Sequence, residues 1–223
     1  MQHLKLITEV NDETNVVIEE ELSSDNSKKK KYYIEGIFLQ GNVRNRNGRY
    51  YPIDLLNREV ARYIKETIDD DRAIGELGHP KIPNLNFERA SHKIISLKRS
   101  GNNYIGKARI MENVPLGKIA KGLIQEGVKL GVSSRGLGKL RKQNDMDVVE
   151  EGFKLLTAAD IVYEPSAPEA FVNGIMEGKE WIITDTGITE CQIDEAKEVM
   201  KKVSKREIED KFLSVFESFI YSL

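Results

Sequence analysis

The chain of 223 residues has a single cysteine, Cys191. That excludes an intrachain disulfide and a metal site built from several thiolates, and it fits a reducing cytoplasm. Histidine is nearly as scarce, with only His3, His79 and His92 available as an imidazole base. No apolar run approaches the roughly 20 residues of a membrane-spanning helix. The N-terminus lacks the apolar core of a secretory signal. Neither sign of charge dominates: 34 Lys and Arg against 36 Asp and Glu leave a net charge of −2. No polyanion footprint results, so nucleic acid is not an expected partner. What is present is 39% hydrophobic and 31% charged residues, which predicts a soluble globular protein with one substantial core plus extensions.

Residues 1–31 read as an arm, with Leu4, Leu6 and Ile7 as a short apolar anchor and a polar linker ending in four lysines. Tyr32–Leu39 is rich in aromatic and β-branched residues and predicts a strand. Pro52 suits the first turn of a helix, and Leu56, Val60, Tyr63, Ile64 and Thr67 follow at helical spacing to about Ile68. Ala73–Pro80 predicts a short strand running into a turn. His92–Leu97 and Tyr104–Ile110 predict a hairpin around Ser100–Asn103. A helix is expected from Leu116 to Glu126, stopped by Gly127. Lys139–Met146 reads as a polar excursion, Val148–Leu156 and Ala158–Tyr163 as strands, and Phe171–Trp181 as edge packing. Thr184–Glu190 reads as a loop, and Gln192–Leu223 as an amphipathic helix with an apolar stripe through Val199, Phe212, Phe216 and Phe219.

The stretch Gly131-Val132-Ser133-Ser134-Arg135-Gly136-Leu137-Gly138 carries the chemistry. Val128, Leu130 and Val132 alternate, so a strand would put Ser134 on their face and Ser133 on the other, with Lys129, Gly131 and Arg135. Gly136 and Gly138 then predict a turn that brings bare amide N–H groups beside a hydroxyl, the parts needed for acyl transfer. His79, held between Gly78 and Pro80, is the natural base for such a serine. Asp160 lies inside an apolar strand, where a buried acid needs a partner.

Six motifs occur in order: Tyr33–Phe38; Asn45-Arg46-Asn47 with Arg49 and Tyr51-Pro52; Gly75-Glu76-Leu77 with His79-Pro80; Gly131–Gly138; Glu151–Leu155; and Pro165-Ser166-Ala167-Pro168. This series, over about residues 32–170, resembles the prohead core (procapsid maturation) proteases of T-even-type tailed bacteriophages, a family related to the herpesvirus assemblins. The resemblance implies an α+β fold: an assemblin-like antiparallel β-barrel surrounded by helices, with an N-terminal arm and a C-terminal amphipathic helix. It implies three segments: 1–31 as arm and linker, 32–183 as the serine protease domain, and 184–223 as a cleavable hinge and helix.

Carried over residue by residue, the resemblance places the histidine at His79 and the nucleophile at Ser133, with Ser134 as runner-up. The third member is Asp160, ahead of His92 and then Glu76. Arg135 and Gly136 are expected to shape the oxyanion site through backbone N–H groups, with a plain salt bridge as the other role open to Arg135. The implied substrates are the internal scaffold and the major capsid protein, inside the procapsid in the host cytoplasm. Cleavage is expected after Glu in (Leu/Ile)-x-Glu sequences. Self-cleavage candidates are Glu190 and Glu195, then Glu9; Ile124-Gln125-Glu126 also fits but falls in a helix. No metal, cofactor, membrane or nucleic acid is called for, and a homo-oligomer is compatible. The competing reading is a catalytically silent core protein of the procapsid; a generic esterase is disfavoured because no Gly-x-Ser-x-Gly is present.

Overall fold

The structure is a computed structural model, and it describes residues 4–11, 14–22, 28–78, 80, 82–163, 180–184 and 187–191. The described residues are mostly β, with two α-helices. Five antiparallel strands form the larger sheet, in the order β2 (Thr14–Leu22), β3 (Lys28–Gln40), β7 (Asn103–Ile110), β6 (Ala90–Ser100) and β5 (Ile74–Glu76). Along β7, buried and half-buried residues alternate strictly, so Tyr104, Ala108 and Ile110 face the core. The β6–β7 hairpin turns at Gly101, whose φ of 60° suits glycine.

A second, three-stranded antiparallel sheet has the order β1 (Lys5–Asn11), β8 (Leu130–Gly138), β11 (Lys154–Tyr163). A parallel bridge from Leu77 to Ile161 joins the end of β5 to β11 and so links the two sheets. A third sheet combines β4 (Arg49–Tyr50), β9 (Leu140–Gln143) and β10 (Met146–Val149), and β12 (Glu180–Thr184) pairs with β13 (Gly187–Cys191).

Helix α1 (Ile53–Tyr63) begins after Pro52 and buries Leu55, Leu56, Val60 and Tyr63, the face its spacing predicts. It relaxes into a π-helical segment over Ile64–Ile68. Helix α2 (Pro115–Gln125) has proline in its first turn and ends at Gly127, where φ is 76°. One apolar cluster joins both sheets and both helices, through Ile7, Phe38, Leu56, Ala120, Val132 and Ile161.

The structure departs from the sequence expectations in specific places. β1, β2 and the lysine run are not a free arm and linker: β1 pairs with β8, and Lys29, Lys30 and Lys31 stand opposite Glu21, Glu20 and Glu19 on β2. Opposite charges directly across a ladder favour strand pairing, which a scan for charge runs cannot see. No turn follows the serines, because β8 continues through Gly136 and Gly138. Gly136 is needed for packing, since a Cβ there would come 2.5 Å from the Phe153 ring, while one on Gly138 would make a tight 3.1 Å contact with it. The polar excursion is the β9–β10 hairpin, turned by Asn144 and Asp145 at φ 48° and 57°. Val148–Leu156 is broken at Gly152, φ 87°, into β10 and β11. Thr184–Glu190 is largely hairpin, with Glu190 opposite Trp181. Among the described strands the sheets do not close into a barrel. The Pro165–Pro168 segment, most of Phe171–Trp181 and the helix expected over Gln192–Leu223 lie outside the described residues.

Candidate active site

β8 is the middle strand of its sheet, and each serine has a register partner. Ser133 stands directly opposite Asp160 of β11, and Ser134 opposite Glu9 of β1. Directly opposed residues of an antiparallel pair project from one face, with Cβ atoms about 4.5–5.5 Å apart. Ser133, Asp160 and Arg135 (two residues on from Ser133) therefore share a face, and Ser134 points to the other. Both serines are buried, Ser133 at 0% exposure, and its Oγ donates to the Ser134 carbonyl at 3.5 Å.

An irregular stretch of β11 puts Asp160 there. Thr157 pairs with Arg135 and Asp160 with Ser133, so three steps on β11 match two on β8. In a regular strand this odd spacing would send Thr157 and Asp160 to opposite faces; the bulge returns Asp160 to the serine's side. The displaced Ala159 carbonyl accepts from Thr157 Oγ1 at 3.1 Å and from His92 Nε2 at 2.9 Å. A carbonyl only accepts, so the His92 proton is on Nε2, and Nδ1 accepts from Ser91 Oγ at 2.9 Å. Burial holds the His92 pKa below the ordinary histidine value, against the pull of the Ala159 carbonyl and the Asp160 charge. Both ring nitrogens are thus engaged, Nε2 by the bulge and Nδ1 by the neighbouring Ser91.

The Gly75-Glu76-Leu77-Gly78 motif reads as a dock onto β11. Gly75 has no side chain because a Cβ would overlap the Ala159 carbonyl and the His92 ring. The Glu76 N–H donates to Asp160 Oδ1 at 3.0 Å, and the Gly78 N–H to the Ile161 carbonyl at 2.8 Å, with Gly78 at φ 80°. His79 itself is outside the described residues, but the residue before it is tied to the residue after Asp160.

Fully buried charges complete this face. Arg135 contacts the Glu76 carboxylate at 3.1 Å and that of Asp160 at 3.1 Å, and its Nη1 donates to the Ile82 carbonyl at 2.8 Å. Arg89, whose side chain is 40% exposed, adds an ion pair to the buried Glu76 at 3.3 Å. Two carboxylates thus meet two guanidinium groups, which is the compensation buried charge requires. Nearby, burial pushes the Tyr63 hydroxyl up to about 12. The salt bridge left open for Arg135 in the sequence is what its side chain makes; that its partners are Glu76 and Asp160 was not legible there, and a charged residue two positions after the serine on the same face was the available signal. Arg135 and Gly136 each have register partners on both β1 and β11, so the expectation of free amide donors there is left without support.

On the opposite face, the Glu9 carboxylate accepts from Arg49 Nη1 at 2.7 Å, Tyr51 Oη at 2.8 Å and Asn47 Nδ2 at 2.6 Å. Burial and the Glu9 charge hold the Tyr51 hydroxyl well above its ordinary pKa. This second cluster, built by the Asn45–Tyr51 motif, anchors β1. Glu195 is outside the described residues, and Glu190 is placed by its backbone in β13. Among the described residues no group of His, Cys, Asp and Glu could hold a metal ion.

Residues 7–180 match the family of prohead core protein serine proteases. The prohead core protein protease of Enterobacteria phage T4 is 42% identical over 167 residues, which is 74% of this chain and 73% of that protein. The solved structure of the bacteriophage T4 capsid assembly protease is similar at a TM-score of 0.66 and 34% identity, covering 73% of this chain and 100% of that one.

Proposed function

Because the chain belongs to the prohead core protein serine protease family, we propose that it is a serine endopeptidase of phage head maturation, with Ser133 as nucleophile, His79 as general base and Asp160 as the acid that orients the base. The observation that carries this reading is the register of β8 against β11: the only serine facing an acid across that ladder is Ser133, and the acid is Asp160. The dock of Glu76 and Gly78 onto β11 supports His79 as the base, since those backbone bonds tie the residues just before His79 to Asp160 and Ile161. Asp160 is favoured over His92, whose ring nitrogens are both committed.

In the reaction His79 takes the Ser133 hydroxyl proton while Oγ attacks the scissile carbonyl carbon. The tetrahedral intermediate collapses as the imidazolium passes that proton to the departing amine, leaving an acyl ester on Ser133. Water, deprotonated by the same imidazole, then releases the acid and restores the serine. Asp160 holds the imidazole in the tautomer that accepts from Ser133. Ser133 is buried, so a polypeptide reaches it only by moving what covers it.

The proposed substrates are scaffold and major capsid proteins inside the prohead, cut after Glu in (Leu/Ile)-x-Glu sequences. Self-cleavage is assigned to Ile188-Thr189-Glu190 or Ile193-Asp194-Glu195. The first requires the β12–β13 hairpin to open. Glu9 is disfavoured, because β1 is paired along its length and Leu4, Leu6 and Ile7 are in the core.

Co-expression with the scaffold protein tests the assignment. Wild type is expected to clip it after Glu, and Ser133→Ala or His79→Ala to lower the rate by about 10^4-fold or more, while Ser134→Ala keeps clipping. Undiminished clipping by both the Ser133 and the His79 variants would overturn it.

A further inference from the structure

The Arg135 side chain bonds residues that precede and follow His79 in the chain, which its own sequence position does not announce. Ile82 and Glu76 lie three residues after and three residues before His79. Arg135 Nη1 donates to the Ile82 carbonyl at 2.8 Å, and Nη2 donates to Glu76 Oε1 at 3.1 Å. The remaining edge faces Asp160, with Nε 3.1 Å from Oδ2 and Nη2 3.3 Å from Oδ1. The backbone of Arg135 belongs to the strand of Ser133, two residues on and on the same face. The guanidinium is 0% exposed, as are both carboxylates.

We propose that Arg135 is a positioning residue for the hydrolytic reaction, locking the serine strand, the acid and both sides of the His79 loop into one geometry. This rests on the assignment of Ser133, His79 and Asp160 given above. A planar fork with donors on three sides suits the arrangement. A lysine ammonium keeps the charge but cannot meet the Ile82 carbonyl, Glu76 and Asp160 from fixed directions. Glu76 is the counterpart on the loop: its Oε1 accepts from Arg135 and also from the Asn86 N–H at 2.8 Å, and its Oε2 pairs with Arg89. Glu76, Ile82 and Asn86 are thereby tied into one network of ion pairs and hydrogen bonds.

The test compares wild type, Arg135→Lys and Glu76→Gln for cleavage of a fluorogenic peptide containing an Ile-x-Glu site. Ser133 labelling by a fluorophosphonate is followed alongside, with the folded fraction read from near-ultraviolet circular dichroism. Arg135→Lys is expected to lower kcat and the labelling rate about 100-fold per folded molecule, the scale of an ångström-sized misplacement, with KM within about threefold. Glu76→Gln keeps the acceptor for Asn86 and leaves the Arg135–Asp160 pair intact. It is expected to lower kcat about tenfold with KM unchanged, and it serves if Arg135→Lys does not fold. The proposal is overturned by an unchanged kcat in either folded variant, by losses that track only the folded fraction, or by losses that appear only in KM. A failure of the underlying assignment shows separately: with Arg135 intact, wild type would escape labelling at Ser133, or His79→Ala would react like wild type.

Discussion

His92 keeps its single proton on Nε2, facing the Ala159 carbonyl, and burial lowers its folded-state pKa. In acid the unfolded chain therefore binds a proton that the folded chain refuses. The stability due to the neutral ring is fully present above the ordinary histidine pKa of about 6.5 and is lost as pH falls below it toward the folded value. Thermal unfolding midpoints should drop between pH 7 and pH 5. In His92→Gln, whose amide can still donate to the carbonyl, that part of the drop should vanish; an unaltered slope would contradict the assignment. Gly75→Ala should cost about 3 kcal/mol in urea unfolding, since its new methyl collides with both partners of that bond. Gly78 and Pro80 were visible in the sequence as a way to hold the His79 imidazole. That Gly75 serves a different histidine was not, because the contact joins residues on three strands.

β1 is where local reading of the chain falls shortest. Leu4, Leu6 and Ile7 were legible as an apolar anchor, but what they anchor to lies more than a hundred residues away. Long-range pairing leaves no mark in a short window of sequence, and the acidic and lysine-rich stretches that follow look solvated until they are laid side by side. Burial at these positions predicts a cost of about 2–4 kcal/mol for Leu6→Ala, measured by urea unfolding. Arg49→Met should destabilise by about 3 kcal/mol, because the half-buried Glu9 carboxylate loses its cation. By contrast, α1, α2 and the β6–β7 hairpin lie close to where apolar spacing, proline and glycine put them. Their stabilising contacts repeat within a few residues, which is the range a pattern can report.

At the scale of the whole molecule, the candidate site joins residues from β5, β8 and β11 and the segment after β5, which are separated in sequence and brought together by the bridge between the sheets. Alternation put Ser133 and Ser134 on opposite faces, and the register places them so, with Ser133 opposite Asp160 and Ser134 opposite Glu9. Alternation gave no guide to Asp160, since its strand is not regular. Mass spectrometry of the intact chain tests how the enzyme is trimmed: wild type should yield a fragment ending at Glu190 or Glu195, and Ser133→Ala should remain whole. Identical fragments from both proteins would assign the cut to another protease.

The extra residue between Thr157 and Asp160 also makes a shortened chain informative. Removing Ala158 would leave Thr157 opposite Arg135 and bring the aspartate opposite Ser133 by ordinary two-step counting. Most excisions within a strand scramble everything downstream; this one should remove the shift between Thr157 and Asp160 and leave the one between Leu155 and Thr157 as it is. The acid would keep its place while His92 lost the oxygen it holds, so the shortened protein would report what the distortion itself contributes.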